Sequence, residues 1–230
     1  SVKNYNVDIS LKREGGINFS AKGDLDFTPA KPTLDIIVDF EEFKLDAFSP
    51  LGEDVFNNIR GFAYGSVNLT GLLNNPTMSG ELYLDEAGLY FPYLNVDYNF
   101  DGESLIKLDG QSFLLENINL LDVKHQTSGM LQGQITHQNF NQWFLNLQID
   151  TNNLLVLDTE DNEEAQYFGT GFLKGTATIS GLTDQLTIDV NGSTQPGTVF
   201  VVPLKDIETV NSYKLIHFKS DTLKVADRQK

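Results

Sequence analysis

Three histidines, His125, His137 and His217, and one acidic run, Asp158, Glu160, Asp161, Glu163 and Glu164, are the side chains whose types could hold a metal. The histidines lie far outside the short ligand spacings of zinc sites. Each reads instead as a strand-surface histidine. The acidic run fails the calcium-loop template, because Glu163 stands where that loop needs Gly and Gly169 where it needs the bidentate Glu. It reads as a solvated loop over Asp158 to Gln166. There is no cysteine, so disulfides and thiol chemistry are excluded. No GxSxG elbow, P-loop or dinucleotide glycine fingerprint occurs. Carboxylates are many, but they fall on the polar faces of strands and no two stand apart as an acid/base couple. Asn68-Leu69-Thr70 and Asn191-Gly192-Ser193 match the glycosylation triplet, in a strand and a turn where coincidence explains them. The chain therefore reads as non-enzymatic, with no cofactor and no required metal.

Composition narrows the class further. The formal net charge is −16, which argues against nucleic acid and against docking on an anionic membrane surface. Hydrophobic residues make up 40% of the chain, too many for general disorder. No apolar run approaches the roughly 20 residues of a membrane helix. With 16 Phe, 8 Tyr, 19 Gly and only 7 Pro, the chain has an all-β composition. No signal peptide opens it, and Ser1 begins directly in strand-like sequence, so it is expected to be one segment of a longer protein.

The elements follow from alternation. Tyr5, Val7, Ile9 and Leu11 share one face, as do Leu34, Ile36, Val38 and Phe40. Leu94, Val96, Tyr98 and Phe100 alternate with Asn95, Asp97, Asn99 and Asp101, and Asp101-Gly102 signals a hairpin turn. Leu114, Ile118 and Leu120 are expected on one face, and Trp143, Leu145, Leu147 and Ile149 on another. Ser49 to Arg60 breaks the period. Ser49-Pro50 is a helix-start signal, and Leu51, Val55 and Ile59 are spaced by four, so a short helix is expected over about 49–60.

A repeat organises the whole. Gly61-Phe62-Ala63-Tyr64-Gly65 through Gly71, followed by Asn75-Pro76, Gly80-Glu81-Leu82-Tyr83-Leu84 and Gly88-Leu89-Tyr90-Phe91-Pro92, is echoed from Gly171 to Pro203. The offset is 175 − 65 = 110 for one glycine pair and 181 − 71 = 110 for another. The echo of about 61–92 at about 171–203, with no linker between, predicts a single β-rich segment over 1–230, elongated rather than compact.

This ordered series of motifs resembles the TamB family, the AsmA-like translocation and assembly module proteins of the Gram-negative periplasm. Asn153-Leu154-Leu155-Val156-Leu157-Asp158-Thr159 and Gly197-Thr198-Val199-Phe200-Val201-Val202-Pro203-Leu204 are similar to the form found in Bacteroidetes. The resemblance implies a curled, mainly antiparallel sheet, a taco or half-pipe, with an apolar interior and one short helix. It implies a periplasmic location, in a protein anchored in the inner membrane upstream of this segment. The implied function is outer-membrane biogenesis: a hydrophobic groove for phospholipid acyl chains between the two membranes, support of outer-membrane protein assembly with a TamA/BamA-like barrel, or both.

On that reading the groove is lined by Val67, Leu69, Leu82, Leu84, Leu89, Phe91, Val96, Tyr98, Phe100, Ile118, Leu120, Leu131, Ile135, Leu145, Leu147, Ile179 and Ile188. Alternation alone fits an open groove and a sealed core equally, because both need the same period. The competing reading is a carbohydrate-binding or adhesive β-sandwich of a surface protein. That reading needs exposed aromatics, and the single Trp, Trp143, falls in the apolar register of its strand.

Overall fold

The structure, a computed structural model, describes residues 3–13, 16–47, 57–138, 142–161 and 167–203. These form one antiparallel sheet of strands β1 (Asn4–Arg13), β2 (Gly16–Asp26), β3 (Thr33–Lys44), β4 (Asn57–Leu72), β5 (Asn75–Phe91), β6 (Val96–Asp101), β7 (Ser104–Gly110), β8 (Ser112–Asp122), β9 (Ser128–Gln138), β10 (Gln142–Thr159), β11 (Phe168–Leu182), β12 (Gln185–Thr194) and β13 (Val199–Val201). Each row returns against the one before it. β6 and β7 lie end to end between β5 and β8, and β12 and β13 both lie along β11. The sheet is thus an uninterrupted meander of thirteen strands in eleven rows, 13 − 2 = 11.

Why the chain folds this way is visible across the ladder. Directly paired residues project to the same face. One line of pairs runs Leu11, Phe19, Phe40, Gly65, Leu82, Ile106, Leu115, Gly133, Leu147, Ile179, Ile188, crossing every row with no polar side chain. The adjacent line, one residue along, runs Ser10, Ser20, Asp39, Ser66, Glu81, Lys107, Leu114, Gln134, Asn146, Ser180, Thr187. Only Leu114 in it is apolar. The sheet is therefore two-faced along its entire length, and it curls to bury the apolar face.

Glycine enters the apolar line where strands approach closely. A Cβ on Gly65, at φ 137°, would sit 2.2 Å from the Glu81 carbonyl oxygen. No L side chain is comfortable there.

Four expectations change. Gly102, at φ 79°, does not reverse the chain; it interrupts one row, so β6 and β7 continue past it as a single broken strand. On β8 the register shifts between Leu115 and Ile118, with Asn117 at φ 55°, so Leu114 faces outward and Leu115 takes the inward place beside Ile118. Asp158 is not in a loop; it lies on β10, paired with Thr170. Asn57–Arg60 are strand, not helix, and Ile59 packs on Leu45, Ala63 and Ala87. Residues 49–56 lie outside the described residues. Among the described residues the helical turn is a single 3₁₀ turn at residues 45–47.

Candidate functional site

The inner face is the candidate site, and its burial is uneven. Val67, Leu82, Val96, Tyr98, Ile118, Leu120, Leu131, Leu145, Leu147 and Ile179 are buried in one continuous cluster. Leu69, Leu84, Phe91, Phe100 and Ile135 are half-buried against it. Leu89 is half-buried and pairs with Tyr98. Ile188 pairs with Ile179, so it faces the same way, yet it is 44% exposed. Leu11 at the opposite rim is 60% exposed. The middle of the apolar face is sealed and its two rims are open.

The seal comes from a seam that alternation does not reveal. β6, β8, β9 and β10 are joined in turn by backbone ladders, and the curl brings β10 back against β6. There the Tyr98 hydroxyl donates to the Leu155 carbonyl at 2.6 Å, and the Asp158 amide donates to the Leu94 carbonyl at 2.9 Å. The Asn95 side chain donates through Nδ2 to the Asp158 carbonyl. Lys124 pairs with the Asp158 carboxylate at 2.5 Å, and the Thr170 hydroxyl donates to the same carboxylate at 3.1 Å. Behind this seam Leu154 and Leu155 are buried together. Two register shifts in β10, between Thr151 and Leu154 and between Leu155 and Leu157, turn consecutive leucines inward. A strict period of two would place only one of them there.

Asp122 holds the same end. Its buried carboxylate accepts from the amides of Lys124, His125 and Thr127, each at 3.0 Å, and from the Thr127 hydroxyl at 2.9 Å. Thr127 Oγ1 in turn accepts from the Leu155 amide at 2.8 Å. The sequence signal was an Asp opening a turn, whose side chain folds back on the backbone after it. Burial, aided by the nearby Asp122 charge, pushes the Tyr98 phenol well above its ordinary range, so it stays a hydrogen-bond donor.

Arg60 clamps the neighbouring wall. Its guanidinium donates to the Tyr98 carbonyl at 3.1 Å and to Asn99 Oδ1 at 2.6 Å, and pairs with Asp97 at 2.7 Å.

The histidines divide. His125 is exposed, edge-on to Phe172 at 5.1 Å. His137 is not a surface histidine: it is 3% exposed, with Phe113 and Trp143 ring centroids at 5.9 and 5.2 Å. Burial holds its imidazole below the ordinary value. His217, Glu163 and Glu164 lie outside the described residues. Among the described residues no three acidic or histidine side chains gather as a metal site. Nor does any helix among them have the length and apolarity to cross a membrane.

Residues 116–230, half of the chain, match the family model of the TamB C-terminal domain. The chain belongs to the TamB family. The match begins on β8 and takes in Asp122 and the β10 side of the seam, Leu155 included, while Leu94, Asn95 and Tyr98 on the other side lie before it. TamB proteins are envelope-associated and take part in outer-membrane protein assembly. No curated protein and no solved structure matches the chain.

Proposed function

We propose that this TamB segment works without catalysis in the periplasm, as a hydrophobic groove that passes phospholipid acyl chains between the inner and outer membranes. The same segment supports outer-membrane protein assembly beside a TamA/BamA-like barrel. The observation that carries this reading is the apolar line from Leu11 to Ile188, which crosses all eleven rows and emerges open at both rims. An acyl chain makes no hydrogen bonds, so its partner needs only apolar surface. Covering it from water stabilises by about 0.8 kcal/mol per CH₂. A line of pairs with no polar side chain from rim to rim offers such surface, and the polar outer face keeps the sheet in water.

Native mass spectrometry of the purified segment tests this by looking for co-purified phospholipid. Photo-crosslinking adds position. Adducts are expected at the half-buried inner residues Leu69, Leu84 and Phe100, and not at the outward Asn68, Tyr83 and Asn99. A folded segment with no lipid adduct at any inner position would leave an ordinary sealed β-core.

One observation favours a second reading. Tyr64 and Tyr83 pair directly across β4 and β5 on the outer face and are 37% and 48% exposed. A carbohydrate-binding surface would use such rings. Glycan binding lost on replacing both tyrosines with Ala would support it.

A further inference from the structure

We infer that the β6–β10 seam is a lateral port: the place where the two walls part to admit an acyl chain into the sealed middle of the face. The inference rests on the groove reading for the identity of what enters. Its geometry stands separately. In the circuit β6–β8–β9–β10, three joints are strand ladders. Parting any of them breaks consecutive backbone hydrogen bonds. The fourth joint carries, among the described residues, one backbone hydrogen bond, from Asp158 to Leu94. Its other direct links come from side chains, Tyr98 to Leu155 and Asn95 to Asp158; beside them Lys124, in the turn after β8 that the Val123 amide bonds to the Asp97 carbonyl of β6, pairs with Asp158. The Lys124 side chain is 61% exposed, and when the pair parts the Asp158 carboxylate, 14% exposed, keeps its hydrogen bond from Thr170.

Directly behind the seam lie Val96, Leu154 and Leu155, each 0–1% exposed. Opening it uncovers the deepest apolar surface while every strand pair stays intact. Arg60 ties β6 to β4 through Tyr98 and Asn99, so β6 remains with its own wall and the separation falls between β6 and β10. The interior it guards suits a chain without hydrogen-bonding groups. Its polar members here, the Tyr98 hydroxyl and the Asp122 carboxylate, are already engaged.

The chain has no cysteine, so a single introduced thiol reports on access. Val96→Cys places it behind the seam, and Ile149→Cys places a control behind the β9–β10–β11 ladders. In native buffer the Val96→Cys thiol is expected to react with a maleimide about tenfold or more faster than the control, as local opening outruns global unfolding. Adding Lys124→Ala should raise the Val96→Cys rate about two- to fivefold, the loss of one exposed ion pair. Equal rates at the two positions, with no response to Lys124→Ala, overturn the port. If Val96→Cys fails to fold, hydrogen exchange of the Asp158 amide, which bonds the Leu94 carbonyl across the seam, reads the same opening with and without Lys124→Ala.

Vesicles of phosphatidylethanolamine bearing a photoactivatable acyl chain supply the second arm. Adducts on Val96 or Leu155 peptides that increase with Lys124→Ala support the port for lipid. Adducts indifferent to Lys124→Ala, with slow thiol labelling, sink the port and leave the groove. Fast labelling with no adduct in any variant sinks the groove reading and leaves the opening itself.

Discussion

Tyr98 on β6 donates its hydroxyl to the Leu155 carbonyl on β10 at 2.6 Å, joining two residues 57 apart in the chain where no ladder connects their strands. The curl of the sheet is closed at this point by a side chain. Replacing Tyr98 with Phe keeps the ring and strands the carbonyl. We expect a loss of about 1–3 kcal/mol in denaturant unfolding. A pH signature accompanies it. The folded phenol is held above its ordinary value, while the unfolded one ionises near pH 10. The folded state then holds the proton that the unfolded state has lost, so stability is full below about pH 10 and falls as pH rises beyond it. Tyr98→Phe should lack this alkaline limb. A Tyr98→Phe protein as stable as the parent at every pH would mean the bond contributes nothing.

Asp122 is a structural carboxylate, and its variants separate charge from shape. Asp122→Ala abandons three amides and a hydroxyl, and about 3 kcal/mol of stability should go with them. Asp122→Asn retains acceptors and should lose less. Equal melting of both variants and the parent would contradict this assignment.

Two glycines distinguish strain from collision. Gly102 has φ 79° with nothing within 4 Å, so Gly102→Ala should cost only the left-handed conformation, about 1–2 kcal/mol. Gly65→Ala adds a contact of 2.2 Å with backbone and should cost about 3 kcal/mol or more. Thermal melting of the pair checks the order; a reversed order would be inconsistent with the β4–β5 approach.

His137 should produce an acid limb. Its folded-state value is depressed by burial, whereas the unfolded imidazole protonates near pH 6.5. The unfolded state then binds the proton that the folded state refuses. Stability is full above about pH 6.5 and declines as pH falls through the window down to the folded value. His137→Gln should flatten the curve in that window, measured by urea midpoints between pH 7 and pH 5.

Arginine reads the sealed middle against the open rim. Leu147 is 8% exposed and Ile188 44%, although both lie on one line of pairs. Leu147→Arg should cost about 4 kcal/mol or more, an unpaired buried cation, and unfold the segment at modest urea. Ile188→Arg should stay within about 1 kcal/mol of the parent because its charge reaches water.

Most of the sheet was legible because a period of two has one physical cause, and it assigned Val67, Leu82, Leu145 and Leu147 to the inner face. The departures share a cause too. Each bulge changes parity, so Leu115 replaced Leu114 inside and Leu154 joined Leu155. Spacing by four cannot separate helix from strand, since four is even, and Ile59 kept its inward place in a strand. The seam was invisible because its partners, such as Asn95 and Asp158, meet through the curl of the sheet rather than through any local pattern.

The unbroken meander turns sequence length into distance. Neighbouring strands stand about 4.8 Å apart, so the ten intervals between eleven rows measure about 48 Å along the curve. Every further hairpin would add about 10 Å of the same cross-section. Reach and calibre are therefore set independently: one by how many strands the chain encodes, the other by the side chains that alternate along each of them.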